Sequence, residues 1–175
     1  MRVVSAFDGA ALIRALDVQR ASRGLGWTVL ADELWEQSCD LNAELSDHSL
    51  CQGALVRTAK RGTMSCQDAL IILRWIGRAP EDFLTGPVVE VGKTDLPQAG
   101  PDRRLRWNLP QLYAALNQAR RGIGLTWASL AQELDCTPSR LTNLRTARLA
   151  DMDLAMRVTQ WIGQPAAAFI QPARW

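Results

Sequence analysis

The chain repeats itself, and this internal duplication constrains its fold more than any other feature of the sequence. At an offset of 100 residues, Leu12–Leu34 aligns with Leu112–Leu134 without a gap, and 11 of the 23 positions are identical. A second block repeats at an offset of 86, where Arg74–Leu84 aligns with Gln160–Ile170. So dense a match indicates two units of one type.

The two offsets differ by 14 residues, which predicts an insertion of 14 residues in the first copy. The insertion falls within WEQSCDLNAELSDHSLC, between Leu34 and Leu55. A stretch rich in Gly and Pro separates the copies and is typical of a linker. We therefore predict a first domain over residues 7–84, a linker over 85–106 and a second domain over 107–170.

Apolar spacing in the second copy predicts consecutive helices. Helix one carries apolar residues at i, i+3, i+4 and i+7 and ends at Gly124, where a left-handed residue is favoured; its stripe is Leu112, Ala115, Leu116 and Ala119. Thr126 is the expected cap of helix two, TWASLAQEL. Thr137 before Pro138 predicts the start of helix three, PSRLTNLRT, because Thr caps free amides and Pro suits the first helical position.

A fourth helix should end at Gly163 and Pro165, and a short turn after it should bury Phe169. Its apolar stripe is Leu154, Val158, Trp161 and Ile162. No segment alternates convincingly like a strand, and PVVEV in the linker is the one candidate for an extended piece. The expected fold class is therefore all-α, with a pseudo-two-fold internal duplication.

The corner between helices two and three resembles a known DNA-binding motif. GLTWASLAQELDCTPSRLTNLR, at Gly124–Arg145, is similar to the helix-turn-helix of the lambda-repressor/Cro-like family, also called the xenobiotic-response-element type. Gly-Leu, Leu-Ala, the three-residue turn and Thr-Pro carry the resemblance, which covers both halves and is closer in the second. It implies two helix-turn-helix domains in tandem, with helix three of each in the major groove and helix two bracing it.

Helix three of the second copy has residues that suit base reading. Leu141 and Leu144 mark its buried side, and small polar residues point away from them. By position in the family motif, the base-reading residues are Ser139, Arg140 and Asn143; Asn can pair with adenine and Arg with guanine. Phosphate contacts are expected from a helix cap and nearby basic residues, which are Thr126, Arg120, Arg121, Arg145 and Arg148.

The first copy departs from the motif. Gly53, Ala54 and Arg57 stand where the second copy has its base-reading residues, and Gly and Ala read no bases. Phosphate contacts remain open to Arg57, Lys60 and Arg61, whereas the acidic insertion, with Asp40, Glu44 and Asp47, would repel DNA near the groove. Two interpretations stay open for this copy: DNA contact or docking of a protein. The tryptophans repeated at the start of helix two, Trp27 and Trp127, are expected to be packing anchors.

Charge is unevenly distributed along the chain. Residues 1–92 carry a net charge of −3 and residues 93–175 a net charge of +5, so the halves should meet a polyanion differently. A basic cluster precedes the second copy at Arg103, Arg104 and Arg106. We expect it to be the solvated end of the linker rather than an arm in the minor groove.

Several classes of protein are disfavoured. The four cysteines form no C-x-x-C pair and should be reduced; Cys39, His48 and Cys51 match no compact zinc module, so neither metal nor cofactor is expected. One histidine and a misspaced phosphate loop around Gly92 give no catalytic site, which argues against an enzyme. No apolar run is long enough for a bilayer, and no secretory signal is visible, so we expect a cytoplasmic, nucleoid-associated protein without a membrane partner.

The sequence therefore predicts a bacterial or phage transcription regulator, a repressor-like protein that binds double-stranded DNA. Because its two recognition helices differ, an asymmetric site is expected. The alternative is a protein-interaction module built on degenerate helix-turn-helix domains: an anti-activator, an antirepressor or a factor that docks RNA polymerase or another regulator. A homodimer formed through exposed Trp or Leu of the insertion is a further alternative.

Overall fold

The computed structural model describes residues 5–46, 52–61 and 63–175, and these residues are mainly helical. The first half contains α1 (Gly9–Ser22), α2 (Trp27–Glu36), α3 (Cys39–Leu45), α4 (Gln52–Arg61) and α5 (Cys66–Ile76). The second half contains α6 (Leu109–Gly122), α7 (Trp127–Glu133), α8 (Pro138–Thr142) and α9 (Met152–Ile162). The insertion supplies α3, which has no counterpart in the second half. The predicted helix three of the second copy is split, because α8 continues as a 3-10 turn over Asn143–Arg145.

Four short strands form two antiparallel sheets, one in each half of the chain. They are β1 (Ala6–Phe7), β2 (Leu84–Thr85), β3 (Arg104–Trp107) and β4 (Ile170–Ala173). β1 pairs antiparallel with β2, placing Phe7 opposite Leu84, and β3 pairs antiparallel with β4, placing Trp107 opposite Ile170. We call residues 6–85 the first unit and residues 104–173 the second unit. The all-α expectation missed these sheets because strands of two to four residues are too short to show an alternating pattern.

The linker is shorter than predicted, since β2 and β3 take up its ends. Residues 86–103 contain no helix or strand, and PVVEV is not part of a sheet. The expectation of a solvated basic end was wrong for Arg104 and Arg106, which are buried in β3. Arg104 donates from Nη2 to Oδ1 of Asn42 at 2.6 Å, and Arg106 donates from Nε to the carbonyl oxygen of Trp175 at 2.8 Å. These partners lie far away in sequence, so no local pattern could indicate the burial.

Local signals set most of the helix boundaries as expected. Gly124 and Gly163 follow α6 and α9 with φ of +70° and +71°, a conformation that glycine adopts without steric cost. The Thr126 hydroxyl accepts a hydrogen bond from the Ser129 amide at 3.1 Å and caps α7. Thr137 precedes α8 as predicted, but its side chain makes no capping hydrogen bond and lies 3.2 Å from the Ser139 hydroxyl.

Each unit buries the same leucine core, and one cross-brace recurs in both. The fully buried leucines include Leu12, Leu16, Leu30 and Leu34 with their repeat equivalents Leu112, Leu116, Leu130 and Leu134. Trp75 Nε1 donates to Oε2 of Glu33 at 3.1 Å, and Trp161 Nε1 donates to Oε2 of Glu133 at 2.7 Å. The brace joins helix two to the last helix of each unit, so the two repeated sequence blocks meet in space.

The units pack together about a pseudo-two-fold axis near the starts of α5 and α9. The Cys66 amide donates to the Ala150 carbonyl, the Met152 amide donates to the Met64 carbonyl, and both distances are 2.9 Å. These residues correspond under the 86-residue offset. Reciprocally, β3 packs against α5 and β1 packs against α9. The two units therefore share an interface of the kind that isologous dimers form.

The linker is held to both last helices by side chains at equivalent positions. Arg74 of α5 donates from Nη2 to the carbonyl oxygens of Gln37 and Ala99 at 2.9 and 2.7 Å. Partial burial lowers the pKa of this guanidinium. Gln160 of α9 accepts the Val89 amide on Oε1 at 2.7 Å. The linker thus adds contacts to the interface.

Candidate nucleic-acid interface

The segment formed by α8 and the following 3-10 turn has one buried side and one exposed side. Leu141 and Leu144 are 0% and 2% exposed and anchor it in the core of the second unit. The predicted base-reading residues all lie on the exposed side: Ser139, Arg140 and Asn143. Helical spacing produces this division, because residues three apart share a face.

The side chains of Arg140, Asn143 and Arg145 make no hydrogen bond or ion pair with the residues that the structure describes. Arg140 also lines a cleft of about 210 Å³ with Met64 and Asp151, so it lies at the junction of the two units. An exposed, uncompensated guanidinium keeps its donors available for an external acceptor.

Helix two braces this segment through packing rather than through polar contacts. α7 packs against α8, and Leu130 is fully buried. Trp127 stacks on Tyr113 with ring centroids 5.5 Å apart and planes at 14°. Trp127 is therefore a packing anchor, as its repetition in the sequence indicated.

Arg120 is engaged inside the protein, in contrast to the phosphate role predicted for it. Its Nη1 donates to the Leu125 carbonyl at 2.6 Å, its Nη2 donates to Asn117 Oδ1 at 2.7 Å, and its guanidinium lies 4.5 Å from the Trp127 ring centroid. Arg20 makes the matching contacts in the first unit, to Leu25, Asp17 and Trp27. The identity of Arg20 and Arg120 in the repeat was the signal of this structural role.

The other predicted phosphate contacts are arranged differently. Arg121 and Arg145 are exposed. Arg148 is exposed and lies 5.4 Å from the Trp175 ring centroid. The Thr126 hydroxyl already caps α7. At this helix start, a phosphate would therefore be bound by backbone amides rather than by the Thr126 side chain.

In the first unit, α4 carries the three basic residues that were predicted to hold phosphates. Arg57, Lys60 and Arg61 are exposed, and Leu55 is 4% exposed and faces the core. Gly53 is also exposed and presents no side chain. Among the described side chains of α4, the outward side is therefore basic toward the C-terminal end, and Gly53 contributes no side chain near the N-terminal end. The ends of the predicted helix segment, Cys51 and Gly62, lie outside the described residues.

The acidic insertion makes contacts with other parts of the protein. At the start of α3, the amides of Asp40 and Leu41 donate to the carbonyl oxygen of Pro101 at 3.1 and 3.2 Å. Glu44 forms an ion pair with Arg174. α3 thus lies against the linker and the second unit, where one of its carboxylates meets a cation. Asp47 lies outside the described residues.

No group of three or more potential metal ligands occurs in the described ranges. Cys39, Cys66 and Cys136 are unpaired, and burial raises the pKa of the Cys66 and Cys136 thiols, which disfavours the reactive thiolate. His48 and Cys51, the other partners of the zinc alternative, are not among the described residues. Across residues 5–46, 52–61 and 63–175, every helix is too short or too polar to cross a membrane.

Compared with models of known protein families, with curated proteins and with solved structures, the chain has no match.

Proposed function

We propose that the protein is a sequence-specific regulator that binds double-stranded DNA through tandem helix-turn-helix units of the lambda-repressor type. The observation that carries the proposal is the exposed polar side of α8 and the following 3-10 turn. There the side chains of Arg140 and Asn143 make no hydrogen bond with the described residues, while Leu141 and Leu144 fix the segment in the core. At such exposed positions a free-standing helical bundle more often carries Glu and Lys than Ser, Thr and Asn.

The chemistry of this side chain set matches base edges in the major groove. Arg140 can donate two hydrogen bonds to O6 and N7 of guanine, and Asn143 can pair with N6 and N7 of adenine. Each good bidentate pair discriminates against the wrong base by about 1–3 kcal/mol. Ser139, at the start of the exposed side, is the third base-reading residue of the proposal.

Phosphate contacts in the proposal come from exposed arginines around α8, namely Arg121, Arg145 and Arg148. On the first unit, phosphate contacts come from Arg57, Lys60 and Arg61. These contacts position the protein and set the salt dependence of binding without reading sequence. Arg120 is assigned to the support of helix two because its donors are bonded inside the protein.

Both units bind one DNA site in this proposal. The paired backbones at Met64–Cys66 and Ala150–Met152 fix one unit against the other, as a dimer interface fixes two half-site readers. Since α4 offers Gly53 where α8 offers Ser139, the two half-sites differ. The preferred DNA site is therefore asymmetric.

A second candidate function follows from the N-terminal part of α4, at Gly53 and Ala54. Gly53 and Ala54 offer no hydrogen-bonding side chain, so this surface suits a protein such as RNA polymerase or another regulator as well as it suits DNA. In that case the second unit alone would contact DNA, or neither unit would.

Selection of bound fragments from a random pool of DNA tests the proposal. The wild type is compared with an Arg140→Ala/Asn143→Ala variant, an Arg57→Ala/Lys60→Ala/Arg61→Ala variant and an Arg14→Ala control. Arg14 is a suitable control because its side chain is 70% exposed on α1, outside the proposed interface.

We expect the wild type and the control to enrich one asymmetric motif, the double variant to lose it, and the triple variant to retain the sequence preference with weaker binding. Unchanged binding by the triple variant would assign DNA contact to the second unit alone. Absence of enrichment by the wild type would reject DNA reading and favour the interaction module. A strict preference for perfect palindromes would contradict the asymmetric arrangement.

A further inference from the structure

Leu149 is an exposed aliphatic residue at the junction of the two units. It is 60% exposed, whereas Met64 and Met152, which lie in the same pair of segments, are 5% and 0% exposed. Burial of an aliphatic side chain is favourable, so a partner that covers Leu149 at this junction gains binding free energy.

Its position is fixed by the contact between the units. The residue after it, Ala150, accepts the Cys66 amide at 2.9 Å, and Asp151, two residues from Leu149, pairs with Ser65 at the pseudo-two-fold axis. Under the 86-residue offset its equivalent is Thr63, which is polar and also exposed. Only the second unit therefore places an apolar side chain here.

The surroundings of Leu149 include the proposed DNA-binding residues. Leu149 shares a cleft of about 380 Å³ with Thr58 and Arg61 of α4, and the exposed Arg148 precedes it in the chain. Two carboxylates, Asp68 and Asp151, also line the cleft, and Asp151 accepts the amides of Asp153 and Leu154 at 2.9 and 3.3 Å.

The two proposed recognition segments are α4 in the first unit and α8 with its 3-10 turn in the second, and both reach this junction. Arg61 of α4 lines the cleft that contains Leu149, and Arg140 of α8 lines the neighbouring cleft beside Met64. If the two segments enter successive major grooves on one face of DNA, the minor groove between them faces the pseudo-two-fold axis.

We propose that Leu149 contacts this central minor groove as an apolar wedge, an inference that rests on the proposed function. Leucine reads no hydrogen-bonding pattern, but apolar side chains that enter the minor groove press between base pairs and kink the duplex toward the major groove. Pyrimidine–purine steps unstack most readily, so Leu149 makes the protein favour such a step at the centre of its site and bend the DNA there.

The experiment uses the full chain with Leu149→Ala, Leu149→Thr and a Val88→Ala control. Threonine reproduces the residue of the first unit, and Val88 is a linker residue that is 50% exposed. Because Leu149 is exposed, its replacement should leave the fold intact, which circular dichroism verifies. Each protein is used to select DNA from a random pool, and the end-to-end distance of one selected fragment is measured by energy transfer between terminal dyes.

We expect the wild type and Val88→Ala to enrich a central TA or CA/TG step and to shorten the end-to-end distance. Both Leu149 variants should enrich the same half-site bases, lose the central step preference and leave the fragment straighter, with affinity reduced several-fold. An unchanged step preference and an unchanged distance in the variants would overturn the wedge, as would a straight wild-type complex. If the wild type enriches no DNA, the proposed function itself fails, an outcome distinct from loss of the central preference alone.

Discussion

Ser65 and Asp151 pair across the interface of the two units as the single bridge between equivalent helix starts among the described residues. Each residue also caps the helix that follows it: the Ser65 hydroxyl accepts the Asp68 amide at 3.1 Å, and the Asp151 carboxylate accepts the Asp153 amide at 2.9 Å. Contact between the units and the start of the last helix in each unit therefore depend on the same two positions.

Replacing these caps should weaken the fold as a whole. We expect Ser65→Ala and Asp151→Ala each to lower the free energy of unfolding by about 1 kcal/mol, the usual effect of losing an N-cap. Since the two residues are neighbours, the double variant should deviate from additivity. Urea denaturation measures the three values, with the exposed Thr28→Ala as a control. Strict additivity would indicate that the caps act independently of the bridge.

The neighbouring arginines Arg120 and Arg121 should separate stability from DNA binding. Arg120→Ala removes hydrogen bonds to Leu125 and Asn117 and should lower the thermal midpoint, since hydrogen bonds of charged groups contribute about 1.5–3 kcal/mol before screening at this half-buried site. Arg121→Ala should leave the midpoint unchanged and weaken DNA binding. Calorimetry and a binding titration on the two variants test this division, and equal midpoints would contradict it.

The two glycines at the end of α6 should respond in opposite directions to alanine. Gly124 has a φ of +70°, so Gly124→Ala should destabilise the protein by roughly 1 kcal/mol. Gly122 is the last residue of α6, and a Cβ added to it would meet no atom within 4 Å, so Gly122→Ala should be neutral or stabilising by up to about 1 kcal/mol. Denaturation midpoints decide, and a stabilising Gly124→Ala would contradict the assigned backbone conformation.

Glu81 should make stability depend on pH. Its Oε1 accepts the Ala166 amide of the second unit at 2.8 Å, while its Oε2 is buried without a hydrogen-bond partner in the described part of the chain. Burial raises the pKa of this carboxyl, and the bond from Ala166 only partly opposes the shift.

A pKa higher in the folded than in the unfolded state means that the folded state binds the proton more tightly. The contribution of Glu81 is therefore present below the ordinary glutamate value of about 4.3 and is lost as the pH rises through the folded pKa. Relative to Glu81→Gln, the wild type should lose stability over this interval. Unfolding at a series of pH values, with the exposed Glu90→Gln as control, measures the difference; a constant difference would refute the assignment.

The slope of DNA affinity against salt concentration should report how many phosphates the first unit contacts. Each phosphate neutralised contributes about 0.9 to the slope of log K against log salt. If Arg57, Lys60 and Arg61 each hold one phosphate, their triple alanine variant should lose roughly three such increments from the slope. Titrations at several salt concentrations measure it, and an unchanged slope would place the first unit away from DNA.

Sequence reasoning identified the repeated helices because their signals are local. The leucine spacing of Leu112 and Leu116, the left-handed Gly124 and the cap at Thr126 each act within one or two turns, and the structure has them as expected. The exposure of Asn143 beside buried Leu144 follows from the same helical spacing.

The strands and the buried arginines could not be found in this way. β1 pairs with β2 across about 78 residues of chain, as in Phe7 and Leu84, and β3 pairs with β4 across about 66 residues. Arg104 is buried because Asn42 of the insertion and Trp35 lie beside it. The sequence around Arg104 has the composition of a linker, so it predicted an exposed arginine and gave no sign of burial.

The sequence by itself determined the duplication, the helix ends marked by Gly124 and Gly163, the helix starts marked by Thr126 and Thr137, and which residues of helix three lie opposite the core. Those properties depend on the periodicity of helices and on capping, which are interactions between near neighbours. Tertiary structure alone decided how the units join, through Ser65 and Asp151, and that Arg120 is bonded inward while Arg140 makes no hydrogen bond or ion pair with the described residues. The physical reason is that burial and hydrogen-bond partners depend on residues brought together from distant parts of the chain.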